Sequence, residues 1–334
     1  MKETSSTAIK GELSPGELKT ALEAHLAQVC SGAGWETTLY SPMAYIIGLG
    51  GKRIRPMLLL LGYQALSGRS GTEALGCATA VEFFHNFSLI HDDIMDNAPL
   101  RRGKATVHEK WDTNTAILSG DAMFALAYGH LIADFPQHAA RLLREFTRVA
   151  VGVCEGQMED MEMAGKLATI PQYIEMVRKK TAMLIGGSLS LAAVAAGADD
   201  EEVARMYELG ETAGIGFQLK DDYLDVYAPA DKFGKQVGGD ILENKMTFLL
   251  IRCLEKADEG QRERLNHLMY HESSSDSKIA GVMALYDELD IHRETLAEMD
   301  KYFAAADAIA EGFRSRPGFA HIDDFLKALA ARDH

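Results

Sequence analysis

The sequence predicts an all-α fold, a single large bundle of long helices packed around a central cavity. Apolar residues recur at helical spacing along nearly the whole chain, strand-like alternation is scarce, and only eight prolines interrupt 334 residues. The most apolar stretch, residues 184–198, is interrupted by glycines and serines and is typical of a buried helix. Several of the predicted helices are too long and too apolar for a small bundle, which indicates helices that bury one another.

Ten candidate helices follow from this spacing, and proline, glycine and polar residues mark their ends. Pro56 begins one of them, because proline is favoured at the first position of a helix. The helix that precedes Asn97 and Pro99 ends there, and another ends shortly before Pro229. In chain order the ten ranges are 18–30, 56–66, 71–96, 116–133, 138–164, 171–197, 200–226, 245–256, 277–310 and 322–331.

The composition fits a globular protein with a large core, since 47% of the residues are apolar and 25% are charged. No linker interrupts the chain, so we expect residues 1–334 to form a single domain. The net charge of −15 argues against nucleic acid as a partner, because nucleic-acid binders present a basic face. An acidic protein that binds anionic substrates must concentrate its cations locally or recruit metal ions.

The sequence also predicts the environment of the protein. The first residues are polar and lead into no apolar segment, and no stretch reaches the ~18 consecutive apolar residues of a membrane span. Four cysteines are scattered without a CxxC pair, which favours buried, reduced thiols. We therefore expect a cytoplasmic protein without a signal peptide or a membrane span.

Two acidic clusters of the same pattern, DDxxD, are the most informative feature of the sequence. The first begins at Asp92 and ends at Asp96, the second begins at Asp221 and ends at Asp225, and each lies near the C-terminal end of an apolar helix. Residues four apart on a helix are neighbours, so the two ends of each cluster share a face. The helix dipole and mutual repulsion both disfavour carboxylates there. Mg²⁺ bound between them explains the arrangement, although a solvated helix end is the alternative for a single cluster.

Basic residues flank both clusters. LRRGK (residues 100–104) follows the first cluster and GGKRIRP (50–56) precedes it, while RKKT (178–181), FGKQ (233–236) and GDILENK (239–245) lie around the second. Taken singly, each basic residue is better explained as a solvated surface charge. Together, within an acidic chain, they indicate a site for diphosphate. No Walker loop, GxGxxG, GxSxG or HExxH motif is present, which argues against nucleotide-driven transfer and zinc hydrolysis.

In the order of these motifs the chain resembles the trans-isoprenyl diphosphate synthases, or polyprenyl synthetases. The resemblance covers residues 50–248 or so, and it rests on GGKRIRP, His85, LIHDDIMDNAPLRRGKATVH, KKT, GFQLKDDYLDVY and FGKQVGGDILENK. It implies the isoprenoid synthase type I fold, a homodimer, and a prenyltransferase that condenses isopentenyl diphosphate with an allylic diphosphate using three Mg²⁺ ions. The chain after Phe248 has no assigned role beyond helical packing.

The resemblance also implies roles for individual residues. The expected metal ligands are Asp92, Asp96, Asp221 and Asp225, with Asp222 in support. The residues expected to contact the allylic diphosphate are Arg101, Lys180, Lys235 and Lys245, and those expected to bind isopentenyl diphosphate are Lys52, Arg55, His85 and Arg102. Thr181 and Gln218 are expected to line the space where the allylic cation forms. Without the resemblance, His85 between phenylalanines would be read as a satisfied core residue.

The helix that carries the first cluster is expected to limit the length of the growing hydrocarbon. Phe84, Phe87 and Ser88 precede the first aspartate by eight, five and four positions and point in the same direction. In the family a bulky aromatic at the fifth position acts as a floor, so Phe87 predicts a C15 or C20 product. The small Ser88 and the spacing of the first motif resemble geranylgeranyl diphosphate synthases (C20). The alternative is that both phenylalanines are core packing and that Met123 or Phe124 sets the depth.

Two other functions stay open on the sequence alone. A class I terpene cyclase ionises the same kind of substrate without isopentenyl diphosphate, but Lys52, Arg55 and Arg102 would have no obvious role in it. A regulatory subunit would share the fold and lack the chemistry, but such subunits often have degraded aspartate motifs, and both motifs are intact here.

Overall fold

The computed structural model describes residues 11–32, 34–228 and 238–331, and these are almost entirely helical. Its α-helices are α1 Pro15–Val29, α2 Ser41–Gly48, α3 Ile54–Ser67, α4 Leu75–Met95, α5 Val107–Lys110, α6 Thr113–Ala133, α7 Ala139–Met163, α8 Ile170–Val177, α9 Met183–Ala195, α10 Asp200–Tyr227, α11 Gly239–Leu242, α12 Phe248–Lys256, α13 Glu259–Tyr270, α14 Ser275–Glu288, α15 Ile291–Glu311 and α16 Phe319–Ala331. Two strands, β1 Leu100–Arg101 and β2 Lys104–Ala105, two 3₁₀ turns, Gly71–Ala74 and Pro136–His138, and a π-helical turn, Arg178–Ala182, complete the described elements. The all-α prediction is confirmed.

Several helix boundaries differ from the predicted ones, each for a local reason. The predicted helix over 277–310 is two helices, because Asp290 has a left-handed backbone (φ 57°) between α14 and α15. The predicted helix over 171–197 is interrupted by a π-helical turn, Arg178–Ala182. Four helices, α2, α5, α11 and α13, were not predicted. The sequence does carry a start signal for α13, since Asp258 and Gln261 form a capping box at its N-terminus.

A short hairpin, also not predicted, presents the two arginines that follow the first acidic cluster. β1 pairs antiparallel with β2, with Leu100 opposite Ala105. Arg102 and Gly103 form the two-residue turn with φ values of 53° and 72°, and positive φ at both positions is what a tight type I′ turn requires. The hairpin therefore places Arg101 at the end of a strand and Arg102 at the exposed tip of the turn.

The described chain divides into two compact units, each assembled from segments that are distant in sequence. Unit 1 contains the described residues within Met1–Ala150, Gly187–Tyr207 and Phe313–Asp323, and unit 2 those within Val151–Gly186, Glu208–Gly312 and Asp324–His334. The organisation of residues 1–334 as one domain stays a prediction.

In unit 1, helix α4 packs along α6, and the first acidic cluster lies at the end of α4. Gly120 of α6 permits this close approach, because a Cβ there would lie 2.5 Å from the His91 Nε2 atom of α4. The α4 side chains Phe83 and Phe84 are fully buried. Tight packing of α4 therefore fixes the position of its C-terminal end.

Unit 2 has two apolar clusters that position the second half of α10. One contains Leu249 and Leu250 of α12 together with Val282 and Leu285 of α14. The other joins α8, α10, α12 and α15 through Tyr173, Met176, Ile215, Leu219, Phe248, Ile251 and Met299. The second acidic cluster continues α10 two residues after Leu219, so burial of this helix sets the direction of its aspartates.

Two features bear on the predicted environment. Among the described residues, one helix, α6, has the length and mean hydropathy (1.4) to cross a membrane, but the core helix of a soluble protein meets the same criteria. The four cysteines are free; Cys77 and Cys253 are buried, Cys30 is half-buried and Cys154 is exposed, so the expectation of a buried thiol is wrong for Cys154. The cytoplasmic location and the lack of a membrane span stay predictions.

Candidate active site

The first four residues of the GGKRIRP segment, 50–53, form a loop with a strained backbone directly before α3. Gly50 and Gly51 have φ values of 74° and 143°, and Arg53 lies in the left-handed region with φ 53°. Glycine adopts such values without steric penalty, whereas a residue with a Cβ does not. The loop leaves Lys52 exposed and Arg55 half-buried at the start of the helix. Its shape therefore separates the three cations of the motif into different surroundings.

The Arg53 side chain anchors this loop inside unit 1. It is 4% exposed, and its guanidinium donates to Glu82 Oε1 at 2.5 Å, to Glu23 Oε1 at 2.9 Å and to the Ile47 carbonyl at 2.8 Å. Asn86 also donates to Glu82 Oε1, at 2.9 Å. The sequence analysis assigned no role to Arg53, because sequence alone does not show whether an arginine is buried. Its partner carboxylate, Glu82 of α4, lies 29 positions away.

Three of the four residues predicted to bind isopentenyl diphosphate contact one another or this loop. Arg55 Nη1 lies 3.4 Å from His85 Nε2. Arg102 donates to the Gly50 carbonyl, and its guanidinium lies against Gly51, whose φ of 143° favours glycine. Burial, Arg55 and Arg102 together hold the pKa of His85 well below its usual value. The neutral imidazole can accept the Arg55 hydrogen bond at Nε2, which leaves the proton on Nδ1.

The first acidic cluster divides its aspartates between the surface and the interior. Asp92 is half-buried in the last turn of α4, and Asp96, the residue after the helix, is exposed. Asp93 is 1% exposed and accepts hydrogen bonds from Arg101 Nε at 2.9 Å and Arg101 Nη2 at 2.7 Å. Asp93 therefore orients Arg101 beside the two outer carboxylates, a role that the DDxxD pattern by itself does not indicate.

The predicted chain-length residues belong to an aromatic cluster. Phe87 stacks on Phe124 of α6 with ring centroids 4.9 Å apart and ring planes inclined by 13°. Phe84 contacts both rings, with centroid distances of 5.5 Å and 5.3 Å, and is fully buried. Ser88 is half-buried and donates to the His85 carbonyl at 2.9 Å. The cluster agrees with both sequence interpretations, since a floor for the substrate and a packed core require the same contacts.

A chain of hydrogen bonds links the predicted cation-lining residues to the second acidic cluster. Thr181 Oγ1 donates to Gln218 Oε1 at 2.9 Å, and Gln218 Nε2 donates to Asp222 Oδ1 at 2.8 Å. Tyr173 Oη donates to the other Asp222 oxygen at 2.5 Å. Burial and the Asp240 carboxylate raise the pKa of Asp222 to about 8, while both hydrogen bonds act in the opposite direction. Asp222 thus fixes Gln218 rather than facing solvent.

The remaining aspartates of the second cluster are half-buried, and a short segment after α10 contacts one of them. Asp225 Oδ2 accepts the Asp240 backbone N–H at 2.9 Å. Lys245 Nζ lies 3.3 Å from Asp240 Oδ1. Partial burial lowers the pKa of Lys245, whose side chain is 50% exposed, but the Asp240 and Glu243 carboxylates outweigh that effect and raise the pKa overall. Lys235, also predicted to contact diphosphate, lies outside the described residues.

Lys180 and Thr181 lie in the π-helical turn, and a glycine of α7 makes room for it. A Cβ at Gly156 would lie 2.2 Å from the Lys180 backbone nitrogen, so the two backbones are in direct contact. Lys180 Nζ donates to Asp160, one turn further along α7. Single π-turns inside α-helices are frequent at functional sites. The turn changes the directions of both side chains relative to those of an uninterrupted helix.

The carboxylates of the two clusters fit Mg²⁺ by their chemistry. In the part of the chain that the structure describes, no three acidic, histidine or cysteine side chains converge as a complete metal cage. Mg²⁺ does not need one, since it prefers one or two carboxylates and completes its octahedron with water and substrate phosphate. The exposed Asp96 and the half-buried Asp92, Asp221 and Asp225 are suited to such a site.

Comparisons with known proteins identify the family. A family model described as polyprenyl synthetase matches residues 36–286. The chain is 41% identical to a short chain isoprenyl diphosphate synthase of Methanothermobacter thermautotrophicus, over 72% of this chain and 74% of that protein. It is 37% identical to a geranylgeranyl pyrophosphate synthase of Geoglobus acetivorans, over 89% and 91% of the two chains. The crystal structure of geranylgeranyl pyrophosphate synthetase from Pyrococcus horikoshii matches with a TM-score of 0.87 and 30% identity, over 95% and 97%.

The residues matched by the family model include every motif on which the resemblance rests. The helical architecture of the Pyrococcus horikoshii structure is shared over 95% of this chain. The chain therefore belongs to the polyprenyl synthetase family and has its all-α isoprenoid synthase fold.

Proposed function

We propose that this short-chain prenyl diphosphate synthase makes geranylgeranyl diphosphate (C20) by Mg²⁺-assisted condensation of isopentenyl diphosphate with allylic diphosphates. The enzyme class follows from the family and from its named relatives. The observation that carries the proposal is the state of the two DDxxD clusters. Both are intact, each ends a long buried helix, and each has an aspartate fixed by hydrogen bonds beside less buried ones.

The carboxylates at the ends of each cluster are proposed to bind Mg²⁺, two ions at Asp92 and Asp96 and a third at Asp221 with Asp225. Bound there, the metal would supply positive charge that stabilises the departing diphosphate. The family as a whole uses a divalent metal for catalysis. Asp93 supports this assignment indirectly, because its two bonds to Arg101 leave the outer aspartates as the accessible ligands.

Cationic side chains of the protein are proposed to bind the two substrates. Arg101, Lys180, Lys235 and Lys245 would contact the allylic diphosphate, and Lys52, Arg55, His85 and Arg102 would bind isopentenyl diphosphate. The contacts Arg55–His85 and Arg102–Gly50 support the second set, since they gather the cations before any anion binds. Preorganised cations of this kind lower the cost of ordering the site on binding.

The reaction itself needs few protein groups. The allylic C–O bond breaks and its electron pair leaves with the diphosphate, the alkene of isopentenyl diphosphate attacks the allylic carbon, and the product cation loses a proton to the released diphosphate. Thr181 and Gln218 would present oxygen dipoles to the cation, and their hydrogen bonds to each other and to Asp222 fix those dipoles. A fixed neutral oxygen stabilises positive charge without trapping it as a strong nucleophile would.

The proposed C20 product rests on Phe87. Its ring is nearly buried and stacked on Phe124, so it is braced against displacement by a growing chain. Ser88 beside it leaves room that a second aromatic residue would fill. The relative from Geoglobus acetivorans, which carries the C20 name, supports the same product length.

A homodimer is part of the same proposal. Helix α6 exposes Ile117 and Leu118 (39% and 59%), and Ala125 and Gly129 are exposed further along the helix. A Cβ at Gly129 would meet no atom within 4 Å. Apolar and small side chains of this kind suit close packing against a second helix. Light scattering after gel filtration tests the assembly: a dimer that Leu118→Lys converts to monomers is the expected result, and a monomeric wild type rejects it.

Product analysis tests the proposed function. The purified protein is incubated with Mg²⁺, labelled isopentenyl diphosphate and, separately, C5, C10 and C15 allylic diphosphates, with and without EDTA. Label in a C20 diphosphate that EDTA abolishes is the expected result. Loss of diphosphate from the allylic substrate without incorporation of label would identify a terpene cyclase instead. Turnover with none of the substrates would favour a regulatory subunit.

A further inference from the structure

Lys278 is a buried lysine in the part of the chain without a recognised motif. It lies in the first turn of α14 and is 7% exposed. Its ammonium donates to Asn244 Oδ1 at 2.7 Å, to the Leu242 carbonyl at 3.2 Å and to the Met269 carbonyl at 3.2 Å. An ammonium has three N–H donors, and three neutral oxygens therefore use all of them.

This arrangement is unusual for a lysine. Buried lysines normally have a carboxylate partner, whereas the acceptors of Lys278 are two carbonyls and an amide oxygen. Burial lowers the pKa of the Lys278 ammonium. A cation in the first turn of a helix is also disfavoured by the helix dipole. An apolar residue would satisfy the packing of α14 at lower electrostatic cost, so the contacts that the ammonium makes need an explanation.

Two of those three contacts lie on the segment that carries Lys245, and the third is to Met269 of α13. Asn244 has a left-handed backbone (φ 55°), and its side chain is the closest acceptor of Lys278. The Lys245 backbone N–H donates to the Asp240 carbonyl at 2.9 Å, which closes the segment into a compact turn. The Asp240 backbone N–H in turn donates to Asp225 of the second cluster. The Lys278 ammonium therefore fixes the turn at Asn244, the residue directly before Lys245.

We propose that Lys278 is a positioning residue for prenyl transfer, which fixes the corner at Asn244 and thereby directs Lys245 to the allylic diphosphate. The inference rests on the proposed function, in which Lys245 contacts that substrate. A purely structural lysine would stabilise the fold without selecting one substrate over the other.

Lys278→Met tests the inference, since methionine has a similar length and donates no hydrogen bonds. We expect the KM for the allylic diphosphate to rise about tenfold, which corresponds to weakened hydrogen bonds between Lys245 and the charged diphosphate. The KM for isopentenyl diphosphate should stay within about twofold of wild type. Affinity for inorganic pyrophosphate with Mg²⁺, measured by calorimetry without turnover, should fall by a similar factor. Lys256→Met is the matched control, because Lys256 bonds the Leu289 carbonyl and Glu294 instead.

A double-mutant cycle with Lys245→Ala separates positioning from general destabilisation. If Lys278 acts through Lys245, the double variant binds the allylic substrate no more weakly than Lys245→Ala alone. Additive losses, or equal losses for both substrates, overturn the inference. Lys245→Ala with an unchanged allylic KM would instead reject the proposed role of Lys245. If Lys278→Met does not fold, Asn244→Gly replaces it as the test. Glycine permits the left-handed backbone at this position and removes the oxygen that accepts from Lys278. An unchanged KM for the allylic diphosphate in that variant overturns the inference.

Discussion

Arg53→Met tests whether the buried guanidinium anchors the GGKRIRP loop. The substitution removes every donor to Glu82 Oε1 except Asn86 among the contacts that the structure describes, and it leaves a carboxylate that is 2% exposed. Breaking a buried ion pair from one side costs about 3–5 kcal/mol, mostly because the other charge stays buried. Glu23 is 40% exposed at its side chain and contributes little. We therefore expect the free energy of unfolding to fall by about 3–5 kcal/mol.

Urea denaturation followed by circular dichroism measures this change, with the dependence on urea concentration as a check on the unfolding model. Arg69→Met is the matched control, because the pair Arg69–Glu73 is exposed (64% and 36%) and such pairs contribute at most about 1 kcal/mol. Adding Glu82→Gln to Arg53→Met should recover part of the loss, since the uncompensated charge is removed. A loss for Arg53→Met as small as that of the control would refute the reasoning.

Three further predictions follow from the site. Gly156→Ala should lower both the melting temperature and kcat, because its Cβ would lie 2.2 Å from the Lys180 backbone nitrogen. The control is Gly16→Ala, whose Cβ would meet no atom within 4 Å, and equal melting temperatures and turnover for the two variants would contradict the prediction. Phe87→Ala should lengthen the product by about one isoprene unit by mass spectrometry, and an unchanged product rejects Phe87 as the floor. His85 should stay neutral in the folded protein just below pH ~6.5, where the imidazole of the unfolded chain binds a proton. The free energy of unfolding should therefore fall as pH falls through that range, and His85→Gln should make this fall shallower. A pKa for His85 at or above its usual value, measured by NMR titration, would contradict this.

The all-α fold and both acidic clusters could be predicted because their signals are local. Helical spacing and the i,i+4 relation of Asp92 and Asp96 act over one turn, and the order of the motifs does not depend on tertiary packing. The break at Asp290 was not predictable in the same way. A left-handed residue that follows the end of a helix is usually glycine, but here it is Asp290, and the apolar spacing continues on both sides of it.

The contacts that orient the site residues could not be predicted, because their partners are far apart in sequence. Tyr173 and Asp222 are separated by 49 positions, and Arg53 and Glu82 by 29. Helical spacing places each residue on a face of its own helix and does not state which other helix that face meets. Asp93 is intermediate, since the sequence places it one position from Asp92, about a quarter turn round the helix, but its burial depends on the hairpin that brings Arg101 to it.

Backbone strain in the described residues lies mainly beside these motifs. The non-glycine residues with positive φ are Arg53, Asn97, Arg102, Asn244 and Asp290. Arg53 and Arg102 belong to GGKRIRP and LRRG, Asn97 directly follows the first acidic cluster, and Asn244 directly precedes Lys245. Each such residue costs about 1–3 kcal/mol and persists where its surroundings require it. The conformation of these loops is therefore maintained against a local preference for other backbone angles.

Glycine would relieve that strain, but at three of these positions the side chain makes a contact that glycine cannot make. At Arg53 it is the buried pair with Glu82, and at Asn244 it is the amide oxygen that accepts from Lys278. At Arg102 it is the guanidinium that donates to the loop before α3. At these three positions the strained backbone therefore places a side chain where it makes a polar contact, and that contact stabilises the strained conformation. Replacing such a residue with glycine would relax the backbone and remove the contact at the same time. At Arg53 the lost buried pair, worth about 3–5 kcal/mol, exceeds the relieved strain of about 1–3 kcal/mol, so the free energy of unfolding should still fall.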